Sequence, residues 1–168
     1  SLGKINDLDE LEKNKLYKTI ALGALKYHIL KVDPKKKILF NPDESIDFNG
    51  NTGPFIQYTY VRIKSILYKN DNISLDFNHI KLAKKEKELI IMLCEFKNVL
   101  NNSVKTLNPS LIANHIYELV KLYNSYYQTH TILGDKSINS FRVFLSKKVA
   151  FQIEKSMALL GVSVPDRM

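Results

Sequence analysis

Phe55, Tyr58 and Arg62 stand at i, i+3 and i+7 of the run NTGPFIQYTYVRIKSILYK, residues 51–69. At 3.6 residues per turn they share one side of a helix, two rings beside a guanidinium. Aromatic rings of this kind bind the unstacked bases of single-stranded RNA, and a basic edge meets its phosphates. The same run also carries Ile56, Tyr60, Ile63 and Leu67 at helical spacing on or near another side, the pattern of an ordinary core helix. Periodicity alone leaves both readings open.

Other chemistry is harder to find. His28, His79, His115 and His130 are scattered without ligand spacing and Cys94 has no partner cysteine, so neither a metal cluster nor a disulfide framework is expected. Cys94, in an apolar helical run, reads as a small buried hydrophobe. No phosphate-cradling glycine loop, dinucleotide fingerprint or nucleophile elbow occurs, and no catalytic residue is singled out. The chain therefore reads as a binding module or part of something larger. With 25 Lys+Arg against 17 Asp+Glu, its net charge of +8 favours a polyanionic partner, nucleic acid before anionic membrane. A helical protein–protein module with incidental basic charge is the rival. The 168 residues can bury a sizeable core. Apolar runs such as Leu89–Cys94 fall far short of the ~20 residues of a membrane span, so no membrane partner is expected. Ser1–Lys18 lacks the apolar region of a secretory signal, and the single cysteine fits a reducing, cytoplasmic setting.

The elements that would position the rings follow from caps and breakers. Asp7 or Asp9 caps a short helix through Lys15, and a second helix runs from Lys18 to Val32 with Ile20, Ala24, Tyr27 and Leu30 inward. Asp33-Pro34 ends it. Lys35–Lys37 is a solvated turn, Ile38–Phe40 a short strand, Asn41–Glu44 a turn and Ser45–Phe48 a second extended piece. Asn49–Pro54 forms a turn that opens the aromatic helix, with Thr52 or Gly53 as N-cap and Pro54 first in the helix. Residues 70–81 make a polar linker. Helices are expected over 84–96, over 97–107 and from Pro109 to His130, the last with Leu111, Ile112, Ile116, Leu119, Val120 and Tyr123 inward. After a loop from His130 to Asn139, a final helix over 140–160 buries Phe144, Val149, Ile153, Met157 and Leu160 and is capped by Gly161. The expected fold is mainly α: a helical bundle over 53–168, preceded by a short α/β remnant over 1–52.

Three separated segments resemble one family. Residues 51–67 resemble the GNT-x-P-Y-x-QY-x-x-x-R-x-x-S-I segment of arginyl-tRNA synthetase, a class I aminoacyl-tRNA synthetase. Ile20–Tyr27, IALGALKY, is similar to its G-x-GALKY helix, and Leu159-Leu160-Gly161 with Val164–Met168 resembles its terminal LLG-(x)-P-(E/D)-RM. The resemblance implies a C-terminal part of the synthetase: a stem-contact remnant, then a helical anticodon-binding bundle of the DALR type. It implies arginine attached to tRNA(Arg) with ATP and magnesium by a whole enzyme whose HIGH and KMSKS elements are not in this chain, with no cofactor for this part alone. It further implies tRNA(Arg) and the rest of the synthetase chain as partners of a monomer. Carried over position by position, the anticodon contacts fall on Phe55, Tyr58, Tyr127 and Met168. Phe55 stands where many members have Tyr, so a ring is retained there without a hydroxyl. Gln57 and Arg62 also match the motif and are expected to hold the helix to its neighbours.

Overall fold

The computed structural model describes residues 8–68, 80–134 and 137–168. Its elements there are helices: α1 (Glu10–Leu30), α2 (Pro42–Ser45), α3 (Gly53–Tyr68), α4 (Lys84–Thr106), α5 (Ser110–Thr129) and α6 (Ser137–Leu159). The expected linker over 70–81 lies mostly outside the described residues, as does His79.

Asp9 caps α1 reciprocally with Glu12: each side chain accepts from the other's backbone N–H, at 2.7 and 3.3 Å. No breaker stands between Lys15 and Lys18, so the two expected helices are one. The same holds for α4, which runs unbroken through Phe96 and Lys97. It ends on Leu107 in the left-handed region (φ 52°), with Asn108 N–H donating to Ser103 O and Leu107 N–H to Val104 O. This is a Schellman close made without glycine. Gly161 (φ 66°) closes α6 in the same way, Val162 N–H donating to Met157 O at 2.9 Å. Asn108 Oδ1 accepts from Ser110 N–H and starts α5.

The short α/β remnant is corrected in its detail: no strand occurs among the described residues. Asn41 accepts from Asp43 N–H at 3.1 Å and Pro42 occupies the first helical position, so 42–45 coil into the single turn of α2. Asp47 then accepts from Asn49 N–H at 2.8 Å, an Asx-turn that curls the second expected strand. Ile38–Phe40, flanked by neither partner, stays irregular.

The bundle sets α3 against α1 and α6, and α5 against α4 and α6, with α3 and α5 also side by side. Tyr27, Ile56, Ile63, Leu89, Ile116, Leu119, Tyr123, Ile153 and Met157 are fully buried at its centre, each contributing about 1.5–3 kcal/mol. Cys94 is exposed rather than buried. The face of α4 turned to α5 runs through Leu89, Leu93, Phe96 and Leu100, and Cys94 lies about 130° from its centre. Leu111 is likewise at the surface and Phe144 only partly covered, while Val143 and Leu145 fill the core beside it.

At the crossing of α1 and α3 the main chains meet at Gly23 and Gly53. A Cβ built on Gly53 would lie 2.5 Å from Gly23 O. The C-terminal tail lies against the same pair of helices. Arg167 meets Glu12 of α1 at 3.2 Å, and Asp166 lies 3.9 Å from Lys64 of α3. No described helix is long and apolar enough to cross a membrane.

Candidate nucleic-acid interface

Thr52 sets the start of the aromatic helix. Its hydroxyl donates to Asp47 O and accepts from Phe55 N–H at 3.3 Å, which places Phe55, Tyr58 and Arg62 on the outward side facing α5. Opposite them, α5 buries Leu119, Val120, Tyr123 and Tyr126 and turns Asn124 and Tyr127 toward α3. Thr59 Oγ1 accepts from Asn124 Nδ2 at 2.9 Å, and Asn124 Oδ1 accepts from Arg62 at 3.0 Å. Helices α3 and α5 therefore pack side by side, the condition for their rings to meet.

They meet at Arg62. Its guanidinium carbon lies 4.9 Å from the Tyr58 ring centroid and 5.3 Å from that of Tyr127. Both rings remain open to solvent, Tyr58 at 42% and Tyr127 at 38% exposure. The guanidinium holds the two rings by cation–π attraction and is itself fixed by Asn124. Phe55 is turned the other way along the surface, half-buried and tilted against Tyr117 of α5 at 5.9 Å, with the Lys121 ammonium 5.8 Å from that ring. Gln57 is fully buried: its Nε2 donates to Thr19 O at 3.2 Å and to Ser163 O at 2.8 Å, tying α3 to α1 and to the tail. Met168, five residues on, packs half-buried against the core. The structure thus gathers Tyr58, Arg62 and Tyr127, keeps Phe55 on the adjoining surface, and places Gln57 inside.

Sequence reasoning passed over the contacts that fasten the end of α5 to α4 and α6. Glu86, fully buried at the start of α4, pairs with Arg142 of α6 at 2.8 Å, accepts from the Tyr126 hydroxyl at 3.4 Å and from Ala83 N–H at 2.7 Å. Arg142 also donates to Thr131 O at 2.9 Å, and Asn139 Nδ2 to Thr131 O and Ile132 O, so the chain after α5 is fastened to α6. Lys85 donates to Ser125 O at 3.0 Å near the end of α5, where a cation also suits the helix dipole. Burial pushes the Tyr123 and Tyr126 phenols upward, so both hydroxyls remain protonated donors, Tyr123 to Ser146 Oγ at 2.9 Å. A signal was present: Glu86 stands at the third position of α4, where a carboxylate caps.

The arrangement is one of rings and cations on a rigid helical frame, and among the described residues no group of His, Cys, Asp or Glu could hold a metal. The family model described as the DALR anticodon binding domain matches residues 56–168. The chain belongs to this family. The DALR chain is 56% identical over 99% of its length to an arginine–tRNA ligase of Flavobacterium psychrophilum, of which it covers 28%. It is 47% identical to that of Phocaeicola vulgatus, again over 99% of its length and covering 29% of the relative. Among solved structures, the arginyl-tRNA synthetase of Thermus thermophilus superposes with a TM-score of 0.88 at 25% identity, covering 98% of the DALR chain and 29% of that protein. The synthetase of Plasmodium falciparum gives 0.80 at 24% identity over 93% and 28%. The DALR chain thus spans 28–29% of the length of each of these four proteins.

Proposed function

We propose that the chain is the anticodon-binding part of an arginine–tRNA ligase and holds the anticodon arm of tRNA(Arg) by base stacking and phosphate contacts. The observation that carries this reading is the exposed Tyr58–Arg62–Tyr127 cluster on a DALR bundle. Stacking on an aromatic ring contributes ~1–3 kcal/mol per base. Surrounding lysines and Arg62 add salt-dependent affinity for phosphate with little discrimination between sequences. Phe55 offers a further ring on the same surface, and Met168 an apolar contact at the end of the tail. Arg62 and Gln57 act as supports, the first within the cluster and the second from inside.

The reaction belongs to the whole enzyme, in which ATP and magnesium activate arginine for transfer to tRNA(Arg) in the cytoplasm, by a monomer. Residues 1–52 are the C-terminal remnant of its catalytic and stem-contact region, and 53–168 the anticodon-binding bundle. Support for contact between that part and the rest of the synthetase is the number of apolar side chains left open before α3, Leu22, Leu25 and Ile29 on α1 and Leu39, Phe40 and Ile46 after it.

The test is tRNA(Arg) charging by the full-length synthetase carrying Tyr58→Ala or Tyr127→Ala. The expected result is a KM for tRNA raised about fivefold or more by each, with melting temperatures unchanged. Parental charging kinetics in both variants would overturn the stacking role.

A further inference from the structure

Phe48 precedes α3 and belongs to none of the matched motifs, yet its ring touches the candidate surface. It meets Tyr58 edge-to-face, with centroids 6.3 Å apart and planes at 88°, and 48% of the residue is open to solvent. Phe40, also exposed before α3, lies instead edge-on to His28 at 5.3 Å. Phe48 thus adjoins the Tyr58–Arg62–Tyr127 cluster through Tyr58.

Its position is fixed by the turn that carries it. Asp47 accepts from Asn49 N–H at 2.8 Å through its carboxylate, and its carbonyl accepts from the Thr52 hydroxyl. Thr52 N–H donates to Gly50 O at 2.9 Å, and Thr52 is also the cap of α3. The backbone that bears the ring is therefore tied to the first turn of the helix that carries Tyr58. A perpendicular pair leaves ring faces uncovered, onto which a planar base can slide; a parallel stack of the two rings would have used those faces on each other.

We propose that Phe48 is a further base-stacking ring of this surface, extending it from α3 and α5 onto the Asp47–Thr52 turn; this rests on the RNA-binding reading of the same site. The ligand is an unstacked nucleobase of a single-stranded RNA loop. Having no hydroxyl or amide, Phe48 offers the base its face and no hydrogen bond at the base edge, so its contribution is tolerant of base identity.

The chain contains no tryptophan, so Phe48→Trp introduces a single indole reporter. The probe is the anticodon stem-loop RNA of tRNA(Arg), titrated against the full chain carrying Phe48→Trp, Phe48→Ala, Tyr58→Ala or Tyr127→Ala. Expected are quenched indole emission at saturating RNA, near-parental affinity for Phe48→Trp, and a loss of about fivefold or more for Phe48→Ala, similar whichever base is substituted in the loop. Weakening in the tyrosine variants, with parental affinity in Phe48→Ala, would overturn the inference and leave the anticodon-binding reading standing. Weakening in Phe48→Ala without quenching in Phe48→Trp would also overturn it, since Phe48 would then act only by holding Tyr58. If none of the four substitutions changed binding, both readings would fall.

Discussion

Gly53→Ala places a methyl group where two main chains cross. The added Cβ would stand 2.5 Å from Gly23 O, 2.8 Å from its carbonyl carbon and 3.1 Å from Ala24 N. Carbon–oxygen contacts between backbones normally open to about 3.3 Å, so α1 and α3 must separate by roughly 0.8 Å. All three atoms are backbone, and no side chain can rotate away. Overpacking of this kind costs about 1–3 kcal/mol, and the better helix propensity of Ala returns less than about 1 kcal/mol at a helix start. A net loss of about 2 kcal/mol should lower Tm by ~4–8 °C at this chain length. Gly50→Ala is the internal control: its Cβ would find Thr52 Cγ2 at 3.6 Å and Asp47 Oδ2 at 3.7 Å, ordinary contacts, and its Tm should stay near the parent. Melting followed by circular dichroism reads both. A Gly53→Ala variant as stable as the Gly50→Ala control would refute the close crossing.

Gly23→Ala presses instead on the Gln57 amide, which must release Thr19 O and Ser163 O; faster amide hydrogen exchange over 161–168 than over α5 is expected. Arg142→Met leaves the buried Glu86 carboxylate without its cation, which should cost about 3 kcal/mol in a urea titration, whereas breaking the exposed Lys84–Glu88 pair should stay within about 0.5 kcal/mol. Burial holds the His115 imidazole below 6.5, with Glu95 and a Met92 backbone hydrogen bond acting the other way. The unfolded chain therefore takes up this proton first as pH falls, and the stabilisation present above pH 6.5 is lost on acidification. His115→Gln should flatten that acid limb in denaturation measured between pH 7 and 5.

Much of the frame was legible because local chemistry decides it. The Thr52 cap, the apolar stripe of α5 and the Gly161 close each depend on residues within one or two turns, and the structure keeps all three. Continuity of α1 and α4 was not legible, since a charged stretch inside a helix and a linker between helices look alike until neighbours pack on both sides. The strands over 38–48 failed for a related reason: a three-residue apolar run becomes a strand only beside an edge, and Asn41 and Asp47 bend the chain first. At the candidate site the α3 face could be read from spacing, and Tyr127 came from resemblance. What could not be read was the joint between them, because the Arg62–Asn124 and Thr59–Asn124 bonds span 62 and 65 residues of sequence. Glu86 with Arg142, 56 residues apart, escaped for the same reason.

The proposed role of the Tyr58–Arg62–Tyr127 cluster is to bind an anticodon loop. The most direct measurement is equilibrium binding of fluorescent anticodon stem-loop RNA to the chain and to its Tyr58→Ala/Tyr127→Ala double variant, across a salt series. The parent is expected to bind with an affinity that falls as salt rises, and the double variant to bind about 30-fold or more weaker at every salt with an unchanged salt slope, because stacking is lost while phosphate contacts remain. Equal affinity of parent and double variant would contradict it.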